Sequence, residues 1–372
     1  LIFVDAKITF FHHVPKKRGK KINFAIMKAV IDDKIPFIRK AASQLFDKVV
    51  YLPGADITAA DVEDADVLIV RTRTRCDARL LKGSKVKFIA TATIGCDHID
   101  AEWLKEAGIK WTNCPGCNAS SVGQYVRNSL FLLQREGQIR LGEATVGIVG
   151  AGHVGCAVQE ALQPFVCRIL LNDPPRLRKE GGDFKTLKTI AEQCDVITFH
   201  TPLTFNGQFP TYHLADFDFF NHLERHPVII NAARGGVVDE TALLEALKQD
   251  KVGPVIIDTW EKEPEISRAL LDKAYISTPH TAGYSADGKV NATRMSLEAV
   301  CHHFHLKPEF KIVPPPLPAS ILPHNTPEEQ ALQLYNPRRD SDALKLHPEN
   351  FENLRGNYPL RREIWDYGRK LR

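Results

Sequence analysis

No apolar run in these 372 residues approaches the roughly 20 that span a bilayer, methionine occurs only at positions 27 and 295, and neither sign of charge dominates, with 49 Lys+Arg against 45 Asp+Glu. The first absence argues against a helical membrane protein. A net charge of +4 over this length is weak support for a nucleic-acid partner, because such proteins concentrate charge in a patch or stripe. No repeat of 20–50 residues is visible, which argues against a solenoid or propeller. A hydrophobic content of 44% and a charged content of 25% exclude collagen-like and disordered classes. The eight cysteines, Cys76, Cys96, Cys114, Cys117, Cys156, Cys167, Cys194 and Cys301, are scattered rather than framed for disulfides, and read as reduced thiols of a cytoplasmic protein. The single C-x-x-C, Cys114 to Cys117, has no second pair at zinc spacing, so a structural loop and no metal site are expected.

What charge there is sits unevenly. Residues 1–26 hold six Lys/Arg and one acid, leaving 43 basic and 44 acidic residues after them. The basic cluster Lys16 to Lys21 follows the short apolar stretch, the reverse of a secretory signal. Met27-Lys28-Ala29-Val30-Ile31-Asp32 reads as a start running into a strand. Residues 1–26 are therefore expected to be upstream sequence or a disordered leader, with a basic nucleic-acid or membrane tail as the alternative.

From Met27 onward, β-branched runs recur between amphipathic stretches: 29–32, 67–70, 88–93, 146–149, 169–172, 196–200, 228–231 and 255–258. This pattern predicts an α/β chain of parallel, doubly wound sheets. A helix is expected after Asn118, with Val122, Val126, Leu130 and Leu133 at helical spacing and Asn118 as its N-cap. Seven prolines between 308 and 327 predict an extended arm, since proline suits neither helix interiors nor central strands.

Thr145 to Val149 followed by Gly150-Ala151-Gly152-His153-Val154-Gly155 is a strand running into G-x-G-x-x-G. Gly150 permits the turn, Gly152 lets backbone amides approach a pyrophosphate, and Gly155 allows close helix–strand packing. Asp173 follows 18 positions after Gly155, where a carboxylate binds adenosine ribose hydroxyls and repels a 2′-phosphate, favouring NAD over NADP. His153 is expected to face the pyrophosphate through its backbone.

Three polar residues follow apolar strand ends: Arg234, Glu263 and His280. Oxidising a 2-hydroxy acid needs a base for the hydroxyl proton, a cation for the carboxylate and an anion to orient the base. Imidazole, guanidinium and carboxylate are the matching types. Arg71, Thr72, Arg73, Thr74 and Arg75 offer hydroxyls and three guanidinium groups suited to a phosphate.

The blocks Val146–Gly155, Asn231–Asp239, Asp258–Pro264 and Thr278–Gly283 resemble the D-2-hydroxyacid dehydrogenase family. Phe88 to Asp100, Cys114 to Ala119, Asp173 to Arg176, Phe199 to Leu203, His280 to Ser285 and Asn357 to Glu363 narrow the likeness to a member acting on a phosphorylated substrate. The resemblance implies NAD-dependent oxidation of a phosphorylated hydroxy acid on a route to pyridoxal 5′-phosphate. It makes Arg234, Glu263 and His280 catalytic, and places Thr72, Thr93, Tyr284 and Arg71 at the substrate. It puts Gly150, Gly152, His153, Val154, Gly155, Asp173, Thr201, Ala232, Ala233, Arg234, Asp258 and Gly283 at NAD. Two departures stand out: Gln124, where the family often has Glu, and Arg73, in place of a small apolar residue.

The implied layout is two Rossmann-like domains and a smaller α+β C-terminal dimerisation domain. Residues 27–118 with about 281–294 would hold the substrate, 119–280 the cofactor, and 295–372 the homodimer contact. No nucleic-acid or membrane partner is expected. Two rival readings remain: another member of the family, acting on 3-phosphoglycerate or glyoxylate/hydroxypyruvate, and an NAD(H)-sensing corepressor-like protein without turnover.

Overall fold

The computed structural model describes residues 26–317 and 326–363. The expectation about residues 1–26 therefore lies, apart from Ile26, outside the described residues. Two parallel sheets organise the chain. The first contains β1 (Lys28–Asp32), β2 (Lys48–Leu52), β3 (Val67–Val70), β4 (Phe88–Thr91) and β5 (Lys110–Thr112), in the order β2-β1-β3-β4-β5. The second contains β6 (Thr145–Val149), β7 (Arg168–Asn172), β8 (Val196–Phe199), β9 (Val228–Asn231), β10 (Val255–Ile257) and β11 (Ile276–Ser277), in the order β11-β10-β9-β8-β6-β7. The strand order reverses beside β6, which has β7 on one side and β8 on the other. Such a switch point opens a crevice at the carboxyl ends of the strands, where ligands bind in this class of sheet.

The central strands are the fully buried ones. Every residue of β3, β4, β8 and β9 is buried, as β-branched runs covered by helices on both faces should be. Three strands escaped the sequence pattern: β2 and β5 carry exposed lysines and only half-buried partners, and β11 is two residues long.

Helix α1 (Ala119–Arg135) follows Asn118, but the Asn118 side chain makes no cap hydrogen bond. That side chain instead packs against Gly283 and Gly288, where an added Cβ would come within 2.2 Å of Asn118 Nδ2 and 3.1 Å of Asn118 Cβ. Helix α2 (His153–Leu162) follows the glycine loop and packs against α1. Helix α3 (Pro174–Glu180) follows β7.

Helix α4 (Ala286–His303) runs back to the first sheet, where Ala292, Leu297, Val300 and Cys301 join Ala29, Ile31, Ile69 and Ala90 in one core. The expected boundary at residue 294/295 falls inside this helix, which meets no helix breaker before Phe304.

The C-terminal region departs from its expected α+β character. Among the described residues after 295 there are only helices, apart from a single bridge between Ser285 and Arg361. After the proline arm come α5 (Pro327–Leu334), α6 (Pro337–Leu346) and α7 (Phe351–Gly356). Thr326 and Asn336 cap α5 and α6, with proline in the first turn of each, a combination that favours helix starts. These helices have no separate core. Ala331, Leu332 and Tyr335 pack with Val126 and Leu130 of α1, whereas Leu344 and Phe351 join Ile229, Val255 and Leu270.

Candidate active site

The glycine loop is built as its spacing demands. Gly150 has φ of 92°, a conformation only glycine adopts cheaply. A Cβ at Gly155 would lie 2.0 Å from the Gly150 carbonyl oxygen, so this helix can approach its strand only through glycine. Gly152 at the α2 N-cap offers no side chain, which leaves the first-turn amides of His153, Val154 and Gly155 open to an anion. The His153 ring packs against the Cys114–Cys117 loop, with its Cγ 2.9 Å from where a Gly116 Cβ would sit.

Asp173 Oδ2 accepts from the Ala151 amide at 2.9 Å, and Oδ1 accepts from the Arg176 amide, capping α3. The acidic residue thus lies directly beside the glycine loop. Thr201, after β8, has a buried hydroxyl with no partner among the described residues, as does Thr281. These orphaned polar atoms line the same strand ends. With the open helix terminus and the acid at Asp173, they fit a dinucleotide, with Gly150–Gly155 at the pyrophosphate and Asp173 at the ribose.

After β9, Ala232 and Ala233 are buried, and Asn231 braces the turn by accepting from Ala233 N and donating to the Arg234 carbonyl. Arg234 reaches across to the first unit: its Nη2 lies 3.8 Å from the Cβ position of Gly95. Thr93 donates to the Gly95 carbonyl at 2.9 Å and so orders that loop.

After β10, Asp258 is fully buried, and its Oδ1 accepts from the Thr278 hydroxyl at 2.5 Å and from the amides of Thr281 and Ala282 at 2.8 Å and 3.0 Å. Burial pushes this carboxyl up against the opposing pull of His280 and the three donors. Asp258 therefore fixes the 278–282 turn, in which His280 adopts a φ of 57°. A non-glycine residue there costs about 1–3 kcal/mol, and the Asp258 bonds hold it.

His280 Nδ1 lies 2.8 Å from Glu263 Oε2 and 3.1 Å from Oε1. Burial raises the Glu263 carboxyl, but the bond and charge of His280, the Trp260 amide and Arg355 outweigh it and hold the group below its usual range. An ionised carboxylate can only accept, so Nδ1 carries the proton and Nε2 is left as the acceptor.

Arg355 was not singled out in the sequence. It rises from α7 and lies 3.4 Å from Glu263 Oε2. Its local partner Glu352 is an ordinary i,i+3 surface pair, and the contact that brings it to the site, Glu263, lies 92 residues away. Arg361, which the sequence offers with Arg362 as positive charge for the phosphorylated acid, is buried, donates to the carbonyls of Thr281, Tyr284 and Ala282 and to Gln124 Oε1, and stacks 4.0 Å over the Tyr335 ring. Gln124, one of the two departures, is thus a support for this anchor.

The Arg71–Arg75 loop differs from expectation. Each guanidinium there is held by a carboxylate: Arg71 by buried Asp32 at 3.1 Å, Arg73 by Glu352 and Arg75 by Asp77. Thr74 donates into the buried Gly54 carbonyl. Three free cations for one phosphate are therefore not what this loop provides, because its own chain supplies the counter-charges. Thr72 is exposed. Arg362 is likewise paired, with Asp287 at 2.9 Å. The C-x-x-C thiols are buried, with Cys117 pushed up to about 12 by burial and Cys114 also raised, as inert structural cysteines are.

Residues 118–282 match the model for the D-isomer specific 2-hydroxyacid dehydrogenase, NAD binding domain. The erythronate-4-phosphate dehydrogenase of Bacteroides fragilis is 54% identical over 342 residues, covering 92% of this chain and 98% of that one. Its counterpart in Escherichia coli O81 is 41% identical, covering 91% and 92%. The NAD+-bound 3-phosphoglycerate dehydrogenase of Entamoeba histolytica superposes with a TM-score of 0.62 at 25% identity, covering 76% of this chain and 96% of that one. With the glycine loop, Asp173 and the Glu263–His280 pair in place, this chain belongs to the erythronate-4-phosphate dehydrogenases within the D-isomer specific 2-hydroxyacid dehydrogenase family.

Proposed function

We propose that this protein oxidises 4-phospho-D-erythronate at C2 with NAD, giving (R)-3-hydroxy-2-oxo-4-phosphooxybutanoate, a step in making pyridoxal 5′-phosphate. The observation that carries this reading is the His280–Glu263 pair, held at the same strand ends that carry Arg234, in a chain so similar to relatives of that name. Bound NAD supplies the acceptor for the C2 hydride. His280 Nε2 takes the hydroxyl proton, while Glu263 orients the ring and balances the charge that develops on it. Arg234 and the backbone at Gly95 hold the carboxylate, fixing which face of C2 is presented.

A homodimer is part of this reading, supported by the exposed apolar side chains of Val313, Leu317 and Leu346 in the C-terminal region. A cytoplasmic location is supported by eight free cysteines, and among the described residues no helix is long and apolar enough to cross a membrane.

The test is NADH formation by purified protein with 4-phosphoerythronate beside 3-phosphoglycerate. Preferential turnover of the former is expected. Equal or better turnover of 3-phosphoglycerate would favour the nearer rival, and NADH binding without turnover would favour the sensor.

A further inference from the structure

Lys289 stands out among the cations near the cleft. Half-buried on the first turn of α4, its Nζ lies 4.3 Å from the centroid of the Tyr284 ring. Among the described residues no carboxylate lies within ion-pair distance of it, although Arg71, Arg234 and Arg355 each have a polar partner. Burial lowers its tendency to hold a proton; Tyr284 and Cys117 oppose this, while the guanidinium groups of Arg71 and Arg355 add to it. A cation left half-buried among cations is costly unless an anion joins it.

Arg355 is joined to the same place. It lies near Tyr284, which favours its charged form, and touches Glu263 Oε2 at 3.4 Å, and Glu263 in turn holds His280. The unpaired ammonium, the Tyr284 ring and the Arg355 guanidinium therefore form one group joined to His280 through Glu263. The substrate proposed above has two anionic ends. Arg234 near Gly95 suits the carboxylate beside C2, which leaves the dianionic end to be met on the other side of His280.

We infer that Lys289 and Arg355, together with Tyr284, form the subsite for the substrate's terminal phosphate, so that helix α7 of the C-terminal region completes the active site. Lys289 brings three N–H donors and an unbalanced positive charge, and Arg355 brings the guanidinium donors that Glu263 leaves free. Arg71, neutralised by Asp32, forms the wall of the subsite rather than its main ligand. This inference rests on the reading that the substrate carries a phosphate.

The test compares wild type, Lys289→Met and Lys289→Arg, as full chains with NAD, on 4-phosphoerythronate and on unphosphorylated D-erythronate. A lost charge-assisted contact corresponds to about a 10- to 100-fold change. Lys289→Met should raise KM for the phosphorylated acid by that factor and reduce the preference for it over D-erythronate equally, with Lys289→Arg recovering most of the loss. Parallel losses on both acids, or no loss, would overturn the subsite. In a second measurement, inorganic phosphate should raise the Tm of wild type and not that of Lys289→Met. If wild type does not oxidise 4-phosphoerythronate, the proposed function fails, and the phosphate-dependent Tm decides the subsite alone. Should Lys289→Met not fold, Lys289→Gln, checked by NADH binding, takes its place with the same two expected outcomes.

Discussion

His280 Nδ1 sits 2.8 Å from Glu263 Oε2 on a residue whose φ is 57°, so the pair depends on a strained turn as well as on its own hydrogen bond. The ring's other nitrogen is thereby aimed as an acceptor. Replacing His280 with Ala should lower kcat by about 10²–10⁴-fold, the usual contribution of a positioned base, with NADH affinity retained. Glu263→Gln should also lose about 10²–10⁴-fold, because an amide can donate to Nδ1 and stabilise the wrong tautomer. Steady-state kinetics with fluorescence titration of NADH checks both, and near-full turnover by His280→Ala would remove it from the mechanism.

The turn itself hangs on Asp258. Asp258→Ala leaves the amides of Thr281 and Ala282 without their acceptor, while the Thr278 hydroxyl keeps the Tyr125 hydroxyl as partner, at about 1–3 kcal/mol for each buried group left unpaired. A loss of several kcal/mol in urea denaturation is expected, with activity falling in the fraction that stays folded. Asp258→Asn keeps a carbonyl oxygen in place and should recover much of the stability. Equal stability of Asp258→Ala and wild type would show that the turn holds without it.

Much of this arrangement was legible because it is local. Gly150, Gly155 and Asp173 lie within one strand–helix–strand unit, and Arg234, Glu263 and His280 each follow an apolar strand, so spacing alone placed them at one end of a sheet. Partnerships across long loops left no such mark. Asp32 is read in sequence as the end of a strand, and only the fold shows that it neutralises Arg71, 39 residues on. Arg355 and Arg361 sit in a polar C-terminal stretch whose composition is that of any solvated helix. The partners that tie them to the site, Glu263 and the carbonyls of Thr281, Ala282 and Tyr284, lie 77–92 residues away. Among the described residues the C-terminal region is helical for a related reason: its α+β character was implied by likeness alone, whereas the capped, proline-started helices at 327 and 337 are locally encoded.

Asp173 joins cofactor choice to local structure. Its two oxygens hold the Ala151 and Arg176 amides, and the carboxylate is placed to repel a 2′-phosphate. Asp173→Ala should reduce kcat/KM for NAD by about 10- to 100-fold, as a lost charge-assisted contact does, and narrow the preference over NADP. Removal of the α3 cap should cost about 1 kcal/mol as well. Kinetics with both nucleotides and a denaturation curve separate the two effects, and an unchanged NAD preference would take Asp173 out of the ribose site.

The Glu263 carboxyl gives the pair a pH dependence whose sign is fixed. Its pKa is held down in the folded chain by His280, the Trp260 amide and Arg355 against the opposing effect of burial, whereas the unfolded chain has the ordinary value of about 4.3. Below that value the unfolded state binds the proton first. The stabilisation is therefore fully present above about pH 4.3 and is lost as pH falls through the lowered folded value. Glu263→Gln has no such proton to take up. The difference in Tm between wild type and Glu263→Gln should then be largest from neutral pH down to about pH 5 and shrink on further acidification. A difference that grows as the pH drops would mean that burial dominates and that Glu263 enters the folded state protonated.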